Sequence, residues 1–450
     1  MAERDGLDRR GDGNAPAAGS RAAARLEATI TALLERADQL VEAGRIDEAV
    51  PTLVKVFELT HHVALRDDPT RFLHLLRSSS AIAVLEAQSA PRAPDPVSGP
   101  GPVKLLVLAH RSFGFVDRVL EVLEEAGMVE VRRADLADAV PGYDLSLHGL
   151  IRRRLSGELA DCPEALRPHV QWADTVFVEW GHHALAWAST VDLGRTRLVA
   201  RLHRFEAFTP FPLLVDYARL DTLVFVSEHM RALVRTLIPH LDELTQTVVI
   251  SNAFDASAFD RPKLPEAAHT MILVGWNRPV KDVRWAIEVL RRVRAEDPEY
   301  RLLLAGTVPD NADLLLPADL REAGAIEVLG ERDDMPEVFR RAGVVLSSSL
   351  HEGTHESVAE GAASGALPVV RDWPLAVPYG GAGTVYPASW IVPDPARAAA
   401  RILRAARGTE GAGAAGHSSL AADDWSRGSR EPAAIVGAYT RVLRGQSERD

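Results

Sequence analysis

The sequence predicts an α/β protein: two doubly wound domains facing a cleft, with an α-helical N-terminal extension ahead of them. Short, continuously apolar runs alternate with helical stretches from Lys104–Ala109 to Leu367–Val370, as strands buried on both faces of a parallel sheet do. The alternation falls into two series that meet near Ser251-Asn-Ala-Phe-Asp255, and two successive βαβ series require two sheets. The length of 450 residues gives room for two or three domains.

Residues 1–21, rich in Ala, Gly, Arg and Asp, are expected to be disordered. From 22 to 90 the pattern is helical: Leu26, Ile30, Leu33 and Leu34 recur at helical spacing, Gly44 closes a first helix, and Asp47 opens a second. The rhythm resembles one tetratricopeptide unit with no second copy, so packing or self-association is its expected use. A Pro- and Gly-rich linker covers 91–102. The first α/β domain, 103–250, has strands expected at Lys104–Ala109, Val129–Arg133, Asp174–Val178, Arg197–Leu202, Thr222–Ser227 and Thr247–Ile250, with a helix over Val116–Ala126. The second, 251–423, has strands expected at Thr270–Gly275, Arg301–Ala305, Ile326–Leu329, Val344–Leu346 and Leu367–Val370. Residues 424–450 are expected to form a helix that packs back across the domains.

Composition narrows the function classes. Hydrophobic residues make up 46% and charged residues 25%, as in an ordinary globular protein. No apolar run approaches the roughly 18–20 residues that span a bilayer, and the first residues lack the apolar core of a secretory signal. Cys162 is the only cysteine, which excludes an intrachain disulfide framework and a cysteine zinc cluster and fits a cytoplasmic protein. A formal charge of −12 argues against nucleic-acid binding. Arg152-Arg153-Arg154 is the one basic cluster of note. It is either a solvated helix face or a contact for an anionic acceptor or membrane headgroup.

The most informative segment runs from Ser347 to Val370: strand end, polar loop, short helix, Gly turn and buried strand. Glu352 sits in the loop and Glu360 on the helix, with seven residues between them. A loop acid just ahead of a helix N-terminus suits a ligand that combines hydroxyls with phosphates. Carboxylates take the hydroxyls, and free N–H groups with the helix dipole take the phosphate charge. Nucleotide sugars are such ligands. Ser357-Val-Ala-Glu360 also fits a capping box, and Thr354 also fits a helix N-cap.

The acid–seven residues–acid spacing, followed by a small-residue helix and Gly365-Ala-Leu-Pro-Val-Val370, resembles the retaining GT-B glycosyltransferases of the glycosyltransferase family 4, glycogen-synthase-like type. The resemblance is strongest over 245–375. Val249-Ile-Ser-Asn-Ala-Phe-Asp255 is similar to the family's interdomain segment, and Met271-Ile-Leu-Val-Gly-Trp-Asn-Arg-Pro-Val-Lys-Asp282 to its phosphate loop. It implies two Rossmann-like domains, an N-terminal one for the acceptor and a C-terminal one for a nucleoside-diphosphate sugar, with no catalytic metal and no cofactor.

By the same resemblance, Lys281 neutralises the donor diphosphate, Glu360 takes the ribose hydroxyls and Glu352 holds the donor sugar. Gly275, Gly353, Thr354 and His355 line the donor. The family's Arg after the Gly is Trp276 here, so Arg278 is the candidate second cation; its Gly after the Lys is Asp282. His203, ending a strand, falls where the family has a His near the donor sugar, and Glu206 is placed to orient it. Gly114 follows the first strand, where the family has a Gly-rich loop. Glu179-Trp-Gly-His-His183 also ends a strand and either shapes the acceptor site or packs, and Ser227 is an N-cap. The implied reaction is transfer of a sugar to a hydroxyl of a glycan, lipid carrier, metabolite or protein, with retention of configuration; the alternatives are a nucleotide-sugar epimerase or sugar phosphorylase on the same fold, or a non-catalytic binding or scaffold protein.

Overall fold

The computed structural model describes residues 15–61, 70–157, 159–408 and 432–446. The chain divides into two compact units. One comprises Met1–Ala87 with Asp144–Glu158, the other Gln88–Tyr143 with Leu159–Asp450.

The smaller unit is helical. Its long first helix, Ala15–Glu42, begins inside the stretch expected to be disordered, because an Ala-rich segment carries high helix propensity; residues 1–14 lie outside the described residues. Ile30, Leu34, Ala37 and Leu40 are buried along one face of it, and Ala49, Leu53, Val56 and Phe57 are buried on the second helix, Ile46–His61. Asp38 accepts bonds from Ser79 Oγ at 2.6 Å and from the Ala81 N–H at 2.8 Å, pinning the start of the helix Ser80–Glu86. The basic run has work inside this unit. From the helix Leu147–Ser156, Arg154 donates to the Leu85 carbonyl at 3.0 and 2.8 Å, and Arg152 pairs with Asp47 at 3.0 Å.

The larger unit holds two parallel sheets. The N-terminal sheet contains β1 (Val103–Ala109), β2 (Val129–Asp135), β3 (Thr175–Glu179), β4 (Arg197–Leu202), β5 (Thr222–Phe225) and β6 (Gln246–Val249) in the order β2-β1-β3-β4-β5-β6. The C-terminal sheet contains β7 (Thr270–Val274), β8 (Arg301–Ala305), β9 (Ile326–Gly330), β10 (Val344–Ser347), β11 (Leu367–Arg371) and β12 (Ile391–Val392) in the order β12-β11-β10-β7-β8-β9. The expected strands are present with small shifts at their ends. The two-residue β12 was not foreseen, being too short to carry a pattern, and the expected helix after β1 spans Gly114–Glu125. β3, β4 and β5 are buried along their whole length, as strands covered on both faces must be.

Strand order fixes where a ligand belongs. In open parallel sheets the crevice opens where the order reverses, beyond the carboxyl ends of the strands. In the C-terminal sheet that point lies between β7 and β10, paired through Met271↔Val344 and Ile272↔Val345. In the N-terminal sheet it lies between β1 and β3.

The helix Pro432–Arg444 returns to the N-terminal sheet. Its Ile435, Tyr439, Val442 and Leu443 join a core with Val107, Phe177, Val199 and Val224, and Thr175 Oγ1 donates to the Leu443 carbonyl at 2.9 Å. Residues 409–431 lie outside the described residues, so the expected helical start at 424 is not described.

Candidate functional site

The loops after β7 and β10 meet at the reversal point of the C-terminal sheet. After β7 the chain turns at Gly275, whose φ of +74° suits glycine; a Cβ there would sit 3.4 Å from Lys281 Cε. The short 3-10 turn Pro279–Lys281 then delivers Lys281 into the interior. Its Nζ lies 2.7 Å from Glu352 Oε1, and both residues are only 8% exposed. Ser349 Oγ donates to the same oxygen at 2.6 Å. Glu352 is held well below the usual carboxylate range: burial disfavours its charge, but the ammonium of Lys281, aided by Ser349, outweighs that cost. Burial pulls Lys281 below its ordinary value and Glu352 opposes the pull.

The loops are fastened to each other. Ser348 Oγ donates to the Lys281 carbonyl, and Arg371, at the end of β11, spans Asp282 at 2.7 Å and the Ser348 carbonyl at 3.2 Å. Ser347 Oγ meets His355 Nδ1 at 2.6 Å and accepts from Trp373 Nε1 at 3.1 Å. His355 Nε2 and both ring nitrogens of His351 are buried with no partner among the described residues. Buried polar atoms left unpaired beside a charged pair suit a site built for a polar ligand.

The N-terminal half reaches this site directly. His229, fully buried, bonds the Glu352 carbonyl through Nε2 at 2.7 Å and Thr384 Oγ1 through Nδ1 at 2.8 Å. From the segment that joins the halves, Asn252 Nδ2 donates to Thr354 Oγ1 at 3.2 Å and to Glu356 Oε1 at 3.1 Å. A Cβ on Gly353 would lie 3.3 Å from Val226 Cγ2 and 3.6 Å from Arg204 Cβ, so only glycine passes easily between the halves. Arg204 and Arg278 both act electrostatically on Lys281, which makes this a concentration of positive charge.

At the N-terminal sheet, His203 directly follows β4, with its Nε2 2.9 Å from Glu179 Oε1. Arg201 clasps the same carboxylate through Nε at 3.0 Å and Nη2 at 2.7 Å. The rings of Phe115 and Trp180 flank His203 at 5.0 and 4.7 Å. Among the described residues, Arg111, Trp180, His240, Asp282 and His355 are the non-glycine residues with positive φ. All but His240 sit in loops that follow β1, β3, β7 and β10, at the cleft ends of the sheets. Strain of this kind collects at functional sites because the surroundings must enforce it.

Solved structures share this architecture. HepE from Anabaena, in complex with UDP and glucose, superposes with a TM-score of 0.53 at 15% identity, covering 76% of this chain and 99% of that one. Sucrose-phosphate synthase from Thermosynechococcus elongatus gives a TM-score of 0.52 at 15% identity over 76% of this chain and 98% of its own. TarM gives 0.48 at 12% identity over 60% of this chain, which spans 55% of TarM. The chain has the GT-B fold of glycosyltransferases. Residues 268–407 match the family model described as glycosyl transferases group 1. No curated protein matches the sequence.

Within the GT-B frame, the structure brings Lys281, Glu352, Gly275, Gly353, Thr354 and His355 together. Arg278 lies exposed on the same turn. Glu360 is half-buried on the helix Glu356–Ala363, four residues beyond Glu356 and so on the face that meets Asn252. His203 and Gly114 belong to the N-terminal sheet; Gly114 opens the helix that carries Phe115 against His203. Trp276, at the position of the family's Arg, is 1% exposed and part of the hydrophobic core, so it supplies no cation.

Three local expectations are corrected. His355, not Thr354, occupies the N-cap, with φ of +49°; Thr354 Oγ1 instead donates to Glu356. Ser357 therefore lies inside the helix, and the capping box with Glu360 does not form. The Glu206 carboxylate accepts from the backbone N–H groups of His203 and Gly181, each at 3.0 Å, rather than from the imidazole; Glu179, at the end of the neighbouring strand, takes the ring nitrogen instead. Ser227 holds the N-cap position of the helix Glu228–Leu237, as expected, without a capping bond from its hydroxyl. Arg204, His229, Asn252, Ser349 and Arg371 escaped the sequence reading. Each lies at or within a few residues of a strand end, which was the signal available.

Two outcomes follow. Lys281→Met strands a buried carboxylate and is expected to cost about 3–5 kcal/mol in urea denaturation, and Lys281→Met/Glu352→Leu to recover most of it. Burial lowers His229 to about 4, and His351 and His355 to about 3. Their folded values lie below the unfolded one near 6.5, so the unfolded chain takes protons first. Stability is complete above pH 6.5 and falls as pH drops through about 4, by up to about 1.4 kcal/mol per pH unit for each histidine. Urea midpoints between pH 7.5 and 4.5 measure the slope.

Proposed function

We propose that the protein is a retaining, metal-independent glycosyltransferase that moves a sugar from a nucleoside-diphosphate sugar to an acceptor hydroxyl. The observation that carries this reading is the buried Lys281–Glu352 pair, 2.7 Å apart at the reversal point of the C-terminal sheet, inside the segment matched by group 1 glycosyl transferases. HepE, which shares the fold, has been solved with UDP-glucose, and this supports a nucleotide-sugar donor.

The donor's diphosphate lies between Lys281, Arg278 and Arg204, facing the first N–H groups of the helix Glu356–Ala363. Glu360 takes the ribose hydroxyls. Glu352 exchanges part of its bond with Lys281 for hydroxyls of the sugar. As the bond between the anomeric carbon and the phosphate oxygen breaks, that oxygen leaves with the electron pair, and the fixed cations stabilise the charge that develops there. The acceptor oxygen bonds to the anomeric carbon from the same face, and its proton passes to the departing phosphate oxygen. The N-terminal half holds the acceptor, a hydroxyl of a glycan, lipid carrier, metabolite or protein. The single Cys162 fits work in the cytoplasm, and among the described residues no helix is long and apolar enough to cross a membrane.

A thermal-shift series with UDP-, GDP-, ADP- and CDP-glucose tests the donor site. One nucleotide is expected to stabilise the protein by about 2.7 kcal/mol at a hundred times its Kd, and Glu360→Ala to weaken it by about tenfold, the equivalent of one lost charge-assisted bond. Failure of every nucleoside diphosphate to bind by calorimetry rules the reading out. Once an acceptor is in hand, NMR of the first-formed product is expected to show the donor's anomeric configuration.

A further inference from the structure

One buried chain of polar groups at the N-terminal sheet goes unused in the donor site. Tyr439 Oη, on the C-terminal helix, accepts from Arg201 Nη1 at 3.2 Å. Arg201 clasps both oxygens of Glu179 at 3.0 and 2.7 Å, and Glu179 Oε1 meets His203 Nε2 at 2.9 Å. Arg201 and Glu179 are fully buried, and Tyr439 and His203 nearly so. A buried ion pair is a poor source of net stability, so this one calls for another use. An ionised carboxylate can only accept, so the imidazole nitrogen facing it must carry the proton. Glu179 stays ionised because, against the cost of burial, Arg201 and His203 favour its charge.

We propose that Glu179 fixes His203 as the Nε2–H tautomer, leaving Nδ1 as the ring's acceptor nitrogen, on the side of the Glu206 N–H, and that Tyr439, through Arg201, makes the C-terminal helix part of this setting. Glu179, Arg201 and Tyr439 are positioning residues. A role for His203 beside a substrate rests on the glycosyl-transfer reading, whereas the tautomer and its dependence on Tyr439 do not.

The test is NMR of full-length protein with 15N-labelled histidine rings at pH 7.5, His203 being assigned by its loss in His203→Gln. The wild type is expected to show Nε2 protonated and Nδ1 bare. Tyr439→Phe, which keeps the ring packed on Phe177, is expected to raise the Nδ1–H population about two- to tenfold, as loss of one hydrogen bond allows. Thr440→Ala on the same helix is expected to change nothing. A wild-type Nδ1–H form, or a His203 signal indifferent to Tyr439→Phe in protein of unchanged melting temperature, overturns the proposal. Neither result bears on whether a nucleoside diphosphate binds.

Discussion

The pair formed by Lys281 and Glu352 is the constraint around which the site is arranged. Two opposite charges taken out of water lose several kcal/mol of hydration each and regain it only when the geometry is close and the remaining hydrogen-bonding capacity is used. Ser349, the Ser348 bond to the Lys281 carbonyl and the Arg371 brace supply that closeness. The pair needs a place where two loops converge without a crossover strand between them, and β7 beside β10 is that place. Strand order, loop contacts and charge thus answer one requirement.

Backbone strain follows from the same convergence. Asp282 carries φ of +43° where the resembled family has glycine. The strain is held by the ion pair to Arg371 and by the helix Val283–Glu296 that starts there. His355, also at positive φ, is held by Ser347. A non-glycine residue in this region persists only when its neighbours over-determine it. In both cases the enforcing neighbour is the last residue of a strand, Arg371 of β11 and Ser347 of β10.

The architecture was legible in the sequence because strands buried on both faces leave unbroken apolar runs, which no surface segment imitates. The Glu352–Glu360 spacing and Lys281 were legible because they lie in one loop–helix or strand–loop segment each. What stayed hidden depended on contacts between segments distant in sequence. Glu206 looked like the partner of His203 by proximity along the chain, yet Glu179 is closer through the β3–β4 pairing, one strand away and 24 residues earlier. His229 acts across the two halves and Asn252 acts from the segment that joins them, and a one-dimensional pattern has no record of that. The start of the first helix at Ala15 was missed for a different reason: Ala-rich composition suits a helix and a disordered tail alike.

His229 gives the closure of the two halves a further meaning. It grips the main chain of Glu352 from the opposite half while Thr384 steadies its other nitrogen. Separation of the halves would break that bond, so the loop that carries Glu352 keeps this anchor only while the halves stay in contact.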